Sequence, residues 1–259
     1  MTQVNVAQIG IGYWGPNLLR NFTENNNCEV KQVIDLSQDR LDMVRNHYPS
    51  INVSNDLSQV VKDKHIDAVV ISTPVASHYD MAIRFLEAGK HVLVEKPMAT
   101  SVEQVREIGQ IAETNGLVAM VGHTFLYNEA VRYVKGLIDS GELGDLRYIY
   151  SQRLNLGRIR SDVDALWNLA PHDVSIIQYW LGDDKPIIVK KFGMDYVQKN
   201  IDDVVFLNLK YNRGIIANIH VSWLDPQKIR KITVVGSKKM AIYDDLADKK
   251  IAIYDKGID

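Results

Sequence analysis

The sequence predicts an α/β protein with two domains: a first domain built on a parallel sheet, then an α+β domain with a mostly antiparallel open sheet. In the first ~120 residues short apolar runs alternate with helical patterns, which is typical of βαβ units. Towards the C-terminus strand-like runs follow one another without helices between them, which indicates antiparallel pairing. The 259 residues, 46% hydrophobic and 24% charged, suffice to bury two cores without disulfides.

Five strands and four helices account for the first half. Ser77 is placed to cap a helix over Tyr79–Ala88, and Gly89 fits the position after its end. Ser101 and Gln104 form a capping box for a helix that ends near residue 116. The remaining predicted elements are strands over Val4–Ile9, Val30–Ile34, Ile66–Ser72, His91–Glu95 and Leu117–Val121, and helices over Asn17–Thr23 and Gln38–His47.

The second half combines two helices with seven strands. Gly214 supplies a positive φ to a three-residue hairpin loop over 212–214. Because no flexible linker separates the halves, the boundary falls within residues 122–128, and we assign 1–123 and 124–259 to the two domains. The predicted helices are Glu129–Asp139 and His172–Leu181, and the strands are Arg147–Leu156, Ile187–Tyr196, Val204–Tyr211, Ile215–Trp223, Ile229–Val235, Met240–Tyr243 and Ile251–Tyr254.

Composition excludes several classes of function. A formal net charge of −2 offers no basic face for nucleic acid. The single Cys28 excludes an internal disulfide and a zinc site of several cysteines, and we expect no bound metal. No secretory signal pattern is present, and no apolar run approaches the ~20 residues of a membrane span. We therefore expect a cytoplasmic protein whose partners are small molecules rather than nucleic acid or a membrane.

Gly10, Gly12 and Gly15 form a G-x-G-x-x-G motif between the first strand and the first helix. Gly10 permits a tight turn, Gly12 lets the backbone approach a pyrophosphate, and Gly15 lets the helix pack on the strand. The helix N-terminus then offers N–H groups and its positive dipole end to the phosphates. This context predicts a Rossmann dinucleotide-binding domain. Tyr13 and Trp14, inside the motif, either line the cofactor cleft or pack beneath the first helix.

Asp35 follows the second strand, about twenty residues after Gly15, where a carboxylate accepts hydrogen bonds from the ribose hydroxyls of NAD and repels a 2′-phosphate. The sequence therefore predicts NAD as the cofactor. Arg40 keeps NADP open as the alternative, because a nearby arginine can accommodate that phosphate. Alternatively, Asp35 only forms the turn that follows the strand.

Polar residues follow three predicted strands, at the sheet edge where open α/β sheets bind ligands. Lys96 directly follows an apolar strand and precedes Pro97. An ammonium there can hydrogen-bond a substrate hydroxyl and stabilise the alkoxide as hydride leaves. The alternative is a surface lysine paired with Glu95. The three stretches are Ser72, Thr73 and Pro74 with His78; Glu95, Lys96 and Pro97; and His123 with Asn128.

These motifs resemble the Gfo/Idh/MocA oxidoreductase family from residue 3 to at least residue 182. The resemblance rests on the glycine motif, on Thr73-Pro74-x-x-x-His78, on Glu95-Lys96-Pro97 and on the antiparallel second domain. It implies NAD(P)-dependent oxidation or reduction at a sugar or polyol carbon. It further implies that Lys96 lies near the nicotinamide and that the open sheet face supports a homo-oligomer, a dimer or tetramer. The strand-end residues predicted to bind the cofactor are Ser72, Thr73, Pro74, His78, Glu95 and Lys96.

The stretch from Arg153 to Asp173 resembles the branch of that family that acts on nucleotide-linked amino sugars, similar to UDP-N-acetylglucosamine (or its uronate) 3-dehydrogenases. His172 is then the catalytic histidine, and a helix start there would keep its imidazole neutral and able to accept a proton. A capping or packing histidine is the alternative. Many family members carry aspartate where this chain has Asn168, whose amide can orient a hydroxyl but cannot take a proton. Asp173 is expected to be structural.

Three arginines could bind a substrate diphosphate, because guanidinium groups match phosphate oxygens, although a solvated surface cluster explains them equally well. They are Arg153, Arg158 and Arg160. The full set of predicted substrate-binding residues is His123, Asn128, Arg153, Arg158, Asn168 and His172.

By this resemblance, the predicted reaction is reversible hydride transfer between C3 of a nucleotide-linked sugar and nicotinamide, with His172 accepting the hydroxyl proton and Lys96 polarising that oxygen. The alternatives are a dehydrogenase of free sugars or inositol, a ketoreductase, and a regulator that binds NAD without turnover. Relatives usually continue for several more elements, so we expect a chain that is either truncated or naturally short after Asp259.

Overall fold

The computed structural model describes residues 3–157, 159–161 and 163–257. The chain divides into two compact units, one that ends at Gly122 and one that begins at His123. The first contains a parallel sheet and the second a mostly antiparallel one, so the predicted fold class is confirmed.

The first unit is a six-stranded sheet in which every neighbouring pair is parallel, with the order β3-β2-β1-β4-β5-β6. This order reverses between β1 and β4, and ligands of doubly wound sheets bind at the carboxyl ends of the strands at such a switch point. The strands are β1 Val4–Ile9, β2 Cys28–Ile34, β3 Asn52–Ser54, β4 Ala68–Ile71, β5 His91–Val94 and β6 Ala119–Val121.

Five helices cover this sheet. One apolar cluster includes Phe85 and Ile108 from α4 and α5, and a second includes Leu19 and Val44 from α1 and α2. The helices are α1 Gly15–Glu24, α2 Gln38–His47, α3 Leu57–Lys62, α4 His78–Glu87 and α5 Val102–Thr114. The sequence does not predict strand β3 or helix α3, because three and six residues are too few to display a hydrophobic period.

The second unit is a seven-stranded sheet with the order β13-β12-β11-β7-β10-β9-β8. Its neighbours are antiparallel except for β7 and β10, which are parallel. The hairpin loop between β9 and β10 has Gly214 at φ +79°, as predicted. The strands are β7 Leu146–Leu156, β8 Pro186–Met194, β9 Val204–Tyr211, β10 Ile216–Ser222, β11 Leu224–Gly236, β12 Met240–Asp244 and β13 Ile251–Tyr254.

Two helices, α6 (Glu129–Asp139) and α7 (Ala165–Leu181), pack on one face of this sheet. Strand alternation decides which side chains they cover. In β7 the covered positions are Ile149, Ser151 and Arg153, all of which are buried.

Helix α7 begins seven residues before the predicted start at His172, and the predicted boundary is wrong. Asp164 accepts a hydrogen bond from the N–H of Trp167 and so caps the helix ahead of Ala165. Pro171 lies inside the helix, where proline is normally disfavoured, and for this reason the sequence suggests a boundary there. His172 therefore lies mid-helix, beyond the first turn in which the helix dipole acts on a side chain.

Candidate functional site

The glycine loop lies between β1 and α1 and closes against the end of β4. Gly10 has φ +93°, and a Cβ there would lie 2.8 Å from the carbonyl oxygen of Ser72. A Cβ at Gly15 would lie 2.7 Å from the carbonyl oxygen of Gly10. At Gly12 the nearest atom would be 4.0 Å away. The fold thus requires two of the glycines, while the third leaves open space beside the loop.

Gln8, which the sequence analysis did not select, stabilises this loop by hydrogen bonds to its backbone. It is buried in β1, and its Nε2 donates to the carbonyl oxygens of Gly10 at 3.1 Å and Gly15 at 2.9 Å. Ser72, the residue after β4, also supports the loop, since its Oγ donates to the Gly10 carbonyl at 2.7 Å. A glutamine between the apolar residues Ala7 and Ile9, directly before the glycine loop, was the signal that could have identified Gln8.

Asp35 is buried at the end of β2 and is tied to the glycine loop. Its Oδ2 accepts a hydrogen bond from the N–H of Ile11 at 2.7 Å, and its Oδ1 accepts one from the N–H of Ser37 at 2.8 Å. Nη1 of Arg40 lies 3.5 Å from Oδ2. The bond to Ser37 is that of a turn, so the turn-forming interpretation holds as well. Because a carboxylate has about four acceptor positions, Asp35 retains capacity for a ribose hydroxyl.

Tyr13 and Trp14 do not pack beneath α1, and that interpretation is wrong. Tyr13 is 95% exposed and Trp14 is 44% exposed. Both residues precede α1, whose buried face begins only with Gly15 and Leu19. Their contact with a cofactor stays a prediction.

The segment after β4 is organised by its own hydroxyl groups. Oγ1 of Thr73 lies 2.8 Å from Oγ of Ser77, and that Oγ also donates to the carbonyl oxygen of Pro74 at 2.8 Å. Ser77 therefore does not cap α4 with its side chain, contrary to the prediction. A short 3-10 helix over 75–77 takes that place, so the hydroxyl turns back towards the preceding segment.

His78 is a buried structural residue and does not lie at a surface that a ligand could reach, which corrects its assignment as a cofactor-binding residue. Only 2% of the residue is exposed. Its Nδ1 lies 2.8 Å from the carbonyl oxygen of Pro97, and its Nε2 lies 2.8 Å from that of Thr73. Both ring nitrogens are thus occupied by backbone groups. His78 joins the segment after β4 to the turn that contains Lys96.

Glu95 and Lys96 follow β5, and Lys96 is half-buried there, at the sheet edge that the sequence predicts. The Oε2 atom of Glu95 accepts a hydrogen bond from the N–H of Lys96 at 3.2 Å, and the peptide bond from Lys96 to Pro97 is cis. Burial raises the pKa of the Glu95 carboxyl above its usual range. The carboxyl rests on Gly122, where a Cβ would approach Oε1 to 3.0 Å.

The first unit fits a dinucleotide on its own geometry. Among the described residues, apart from the chain neighbours of Gly12, no atom would lie nearer than 4.0 Å to a Cβ there. The loop is therefore open on the side where a pyrophosphate is expected, and the N-terminus of α1 follows directly. Asp35 lies at the next strand end, where the ribose of NAD is expected. The residues present therefore suit this cofactor.

In the second unit, the ring of His172 makes a T-shaped contact with Phe125, with 5.0 Å between ring centroids. Phe125 in turn lies under the guanidinium of Arg153, whose Cζ is 4.9 Å from the ring centroid. Asn168 accepts a hydrogen bond from Nε1 of Trp223 at 3.3 Å.

Arg153 is neither part of a solvated cluster nor turned towards an open surface, so its assignment to a substrate diphosphate does not fit. It is 5% exposed, and its Nε donates to Oδ2 of Asp173 at 2.7 Å. The reason is strand alternation, which turns residue 153 of β7 towards α7. Asp173 has the structural role predicted for it. Arg158 lies outside the described residues, and the backbone carbonyl of Arg160 accepts a hydrogen bond from Gln198.

Asn128 and His123 lie at helix starts. The Oδ1 of Asn128 accepts hydrogen bonds from the N–H groups of Ala130 and Val131 and so caps α6, which gives this residue a structural role in place of a purely ligand-binding one. His123 is half-buried ahead of a short 3-10 helix over 124–127.

The described residues contain neither a cluster of metal-binding side chains nor a helix that could span a membrane. Across residues 3–157, 159–161 and 163–257, there is no group of three or more His, Cys, Asp or Glu side chains that could hold a metal ion. Within the same ranges, each helix is too short or too polar to cross a membrane.

Comparison with known proteins identifies both units. Residues 4–123 match the family described as "Oxidoreductase family, NAD-binding Rossmann fold", and residues 131–242 match "GFO/IDH/MocA C-terminal domain". A curated relative, 4-carboxy-2-hydroxymuconate-6-semialdehyde dehydrogenase from Sphingobium sp., is 31% identical over 187 residues, which are 69% of this chain and 59% of the relative. The chain spans about 60% of the length of the curated relatives that it matches.

Solved structures share the fold. The WlbA dehydrogenase from Bordetella pertussis, in complex with NADH and UDP-GlcNAcA, superposes with a TM-score of 0.89 at 21% identity, over 98% of this chain and 77% of that one. UDP-N-acetylglucosamine 3-dehydrogenase GnnA from Acidithiobacillus ferrooxidans gives 0.87 at 24% identity, over 99% and 81%. The two family matches together cover nearly the whole chain, and the protein therefore belongs to the Gfo/Idh/MocA oxidoreductase family, with an NAD-binding Rossmann domain as its first unit.

Proposed function

We propose that this protein is an NAD-dependent dehydrogenase that oxidises a ring hydroxyl, at C3, of a nucleotide-linked sugar. The observation that carries the proposal is the position of Lys96. It is a half-buried ammonium at a strand end of an NAD-binding domain, next to a carboxyl whose pKa is raised by burial. Such a cation suits an oxygen that becomes negative during the reaction.

Lys96 and His172 are proposed to act on the same substrate hydroxyl. The Lys96 ammonium hydrogen-bonds the substrate hydroxyl and stabilises negative charge on its oxygen. His172 accepts the hydroxyl proton as the carbon–oxygen bond becomes a carbonyl. When bound, NAD supplies the hydride acceptor for the hydrogen that leaves the same carbon. Asn168 can orient a hydroxyl but cannot take its proton, so we assign the base role to His172.

The choice of a nucleotide sugar rests on similarity in fold to two proteins whose names state such substrates, WlbA and GnnA. Within the second unit, His123, Asn128 and Asn168 are proposed to contact the sugar. With Arg153 engaged by Asp173, we assign the diphosphate to Arg158 and Arg160. A free sugar or inositol is the alternative substrate.

We also propose a homo-oligomer, because the helices described for the second unit, α6 and α7, pack on one face of its sheet. On the other face Tyr148 and Ile216 are neighbours in register and are about half exposed. Apolar side chains arranged in this way are typical of a surface that a second copy covers. Sedimentation of the purified protein would test this directly.

A regulator that binds NAD without turnover is the second candidate. Asn168 favours it, because an amide bonded to the Trp223 indole stands where many relatives have a carboxylate. The half-buried Lys96 favours the dehydrogenase, since a sensor has no use for a cation that stabilises an alkoxide.

The test is the absorbance of NADH formed by the purified protein with NAD and one of three substrates: UDP-N-acetylglucosamine, its uronate, or myo-inositol. We expect NADH only with a UDP-sugar, and loss of that signal in Lys96→Ala and His172→Ala. The matched controls are Lys64→Ala and His65→Ala, which remove the same side chains from exposed positions. If NADH forms only with myo-inositol, the substrate is an inositol and not a nucleotide-linked sugar. Binding of NADH without turnover of any substrate would favour the regulator.

A further inference from the structure

Contacts through Phe125 and Arg153 link the His172 ring to the residue that follows it in α7. The His172 ring meets the Phe125 ring at an interplanar angle of 63°. The Phe125 ring faces the guanidinium of Arg153, which is paired with Asp173. Asp173 is the next residue after His172 in α7, so the series of contacts begins and ends on the same helix.

The Arg153–Asp173 pair makes one end of this series of contacts rigid. Nε of Arg153 donates to Oδ2 of Asp173 at 2.7 Å and Nη2 donates to Oδ1 at 3.3 Å, which fixes the plane of the guanidinium. Ser151 donates to Oδ1 as well, at 2.7 Å. Asp173 is 1% exposed, so water does not compete for these bonds. The charged plane against which Phe125 rests is therefore held in one orientation.

On the basis of the function proposed above, we propose that Phe125 is a positioning residue that sets the orientation of the His172 imidazole. The backbone of α7 fixes the Cα of His172, and the two side-chain torsions are set by what the ring contacts. A T-shaped neighbour restricts the rotation of the ring, and the Arg153 cation holds that neighbour in place. Because a general base must lie within hydrogen-bond reach of its proton, ring orientation affects the rate more than the binding of substrate.

Packing alone is the competing explanation, since Phe125 also contacts the apolar core of the second unit. The two roles predict different results when the ring is replaced. Phe125→Leu and Phe125→Met keep apolar volume but remove the ring, whereas Phe125→Tyr keeps the ring. Tyr179→Leu is the matched control, because Tyr179 is on α7, packs against the same core and has a cation of its own, Lys135, near its ring.

Kinetics with NAD and UDP-N-acetylglucosamine uronate test the positioning role. We expect kcat to fall about 10- to 100-fold in Phe125→Leu and Phe125→Met, with KM and the Kd for NADH changed less than about twofold. Phe125→Tyr should recover most of kcat, and Tyr179→Leu should lower the melting temperature without this fall in kcat. Equal losses of kcat in Phe125→Leu and Tyr179→Leu would overturn the proposal.

A spectroscopic readout keeps the inference testable even if no substrate is turned over. The imidazole resonances of His172, assigned by their loss in His172→Gln, should shift in Phe125→Leu because the ring current of Phe125 disappears. They should return towards the wild-type position in Phe125→Tyr. Unchanged resonances in Phe125→Leu would refute the positioning role, whereas shifted resonances in a protein without turnover would refute only the proposed function.

Discussion

Adding one methyl group to the glycine loop should separate cofactor binding from folding. Gly12→Ala introduces a Cβ whose nearest neighbour would be 4.0 Å away, at a backbone conformation without positive φ. Gly15→Ala introduces a Cβ 2.7 Å from the carbonyl oxygen of Gly10, a backbone atom that cannot move aside alone. The same change in chemistry therefore meets open space at one position and a steric conflict at the other.

The expected magnitudes follow from these distances. Gly12→Ala should leave the free energy of unfolding unchanged or raise it by about 0.4–1 kcal/mol, because alanine reduces the entropy of the unfolded chain. Gly15→Ala should lower it by about 1–3 kcal/mol, the usual cost of overpacking. For the binding of NADH we expect the opposite order. Gly12→Ala should be the more harmful change, because its methyl group occupies the space for the pyrophosphate. We expect at least about tenfold weaker binding, or ~1.4 kcal/mol.

Urea denaturation of the apo protein and NADH titration by fluorescence measure the two quantities separately. Gly109→Ala in α5 is the control, because a Cβ there meets nothing within 4 Å and lies far along the chain from the loop. It should be as stable as wild type or more so, and it should bind NADH normally. Wild-type affinity in Gly12→Ala, or wild-type stability in Gly15→Ala, would refute the reasoning.

Three further changes test the environment of single carboxyl groups. Burial raises the pKa of Glu95, so between the ordinary and the raised pKa the folded state holds a proton that the unfolded state has released. The free energy of unfolding should therefore fall as pH rises through that range. In urea denaturation Glu95→Gln should abolish this decline, and an unchanged dependence on pH would contradict the reasoning. Asp173→Asn should lower the free energy of unfolding by about 3–5 kcal/mol, because it leaves the buried Arg153 without its counter-charge. Asp139→Asn, at an exposed pair with Lys135, is the control and should lower it by less than about 1 kcal/mol. Similar losses in the two variants would argue against a buried pair. Asp35→Ser should shift the ratio of the Kd values for NADH and NADPH about tenfold towards NADPH, and a constant ratio in paired titrations would remove Asp35 from cofactor selection.

The sequence by itself determined the features that depend on local chemistry. The spacing of apolar residues predicts α2 and α6 at their observed bounds, because a helix face repeats within a few residues. Gly10 and Gly214 mark turns that need positive φ, and both have it. The position of Lys96 after an apolar strand is equally local, since the end of β5 is fixed by the same run of residues.

Only the tertiary structure decided which polar side chains are buried and what they contact. Arg153 resembles a phosphate-binding residue in the sequence, yet α7 covers its face of β7 and Asp173 neutralises it. His78 resembles a ligand contact until both of its ring nitrogens are seen to lie against backbone carbonyls. The start of α7 is hidden by Pro171, because the cost of a proline inside a helix can be offset by packing that no local pattern records. In each case the outcome depends on residues distant in the chain that the fold brings together.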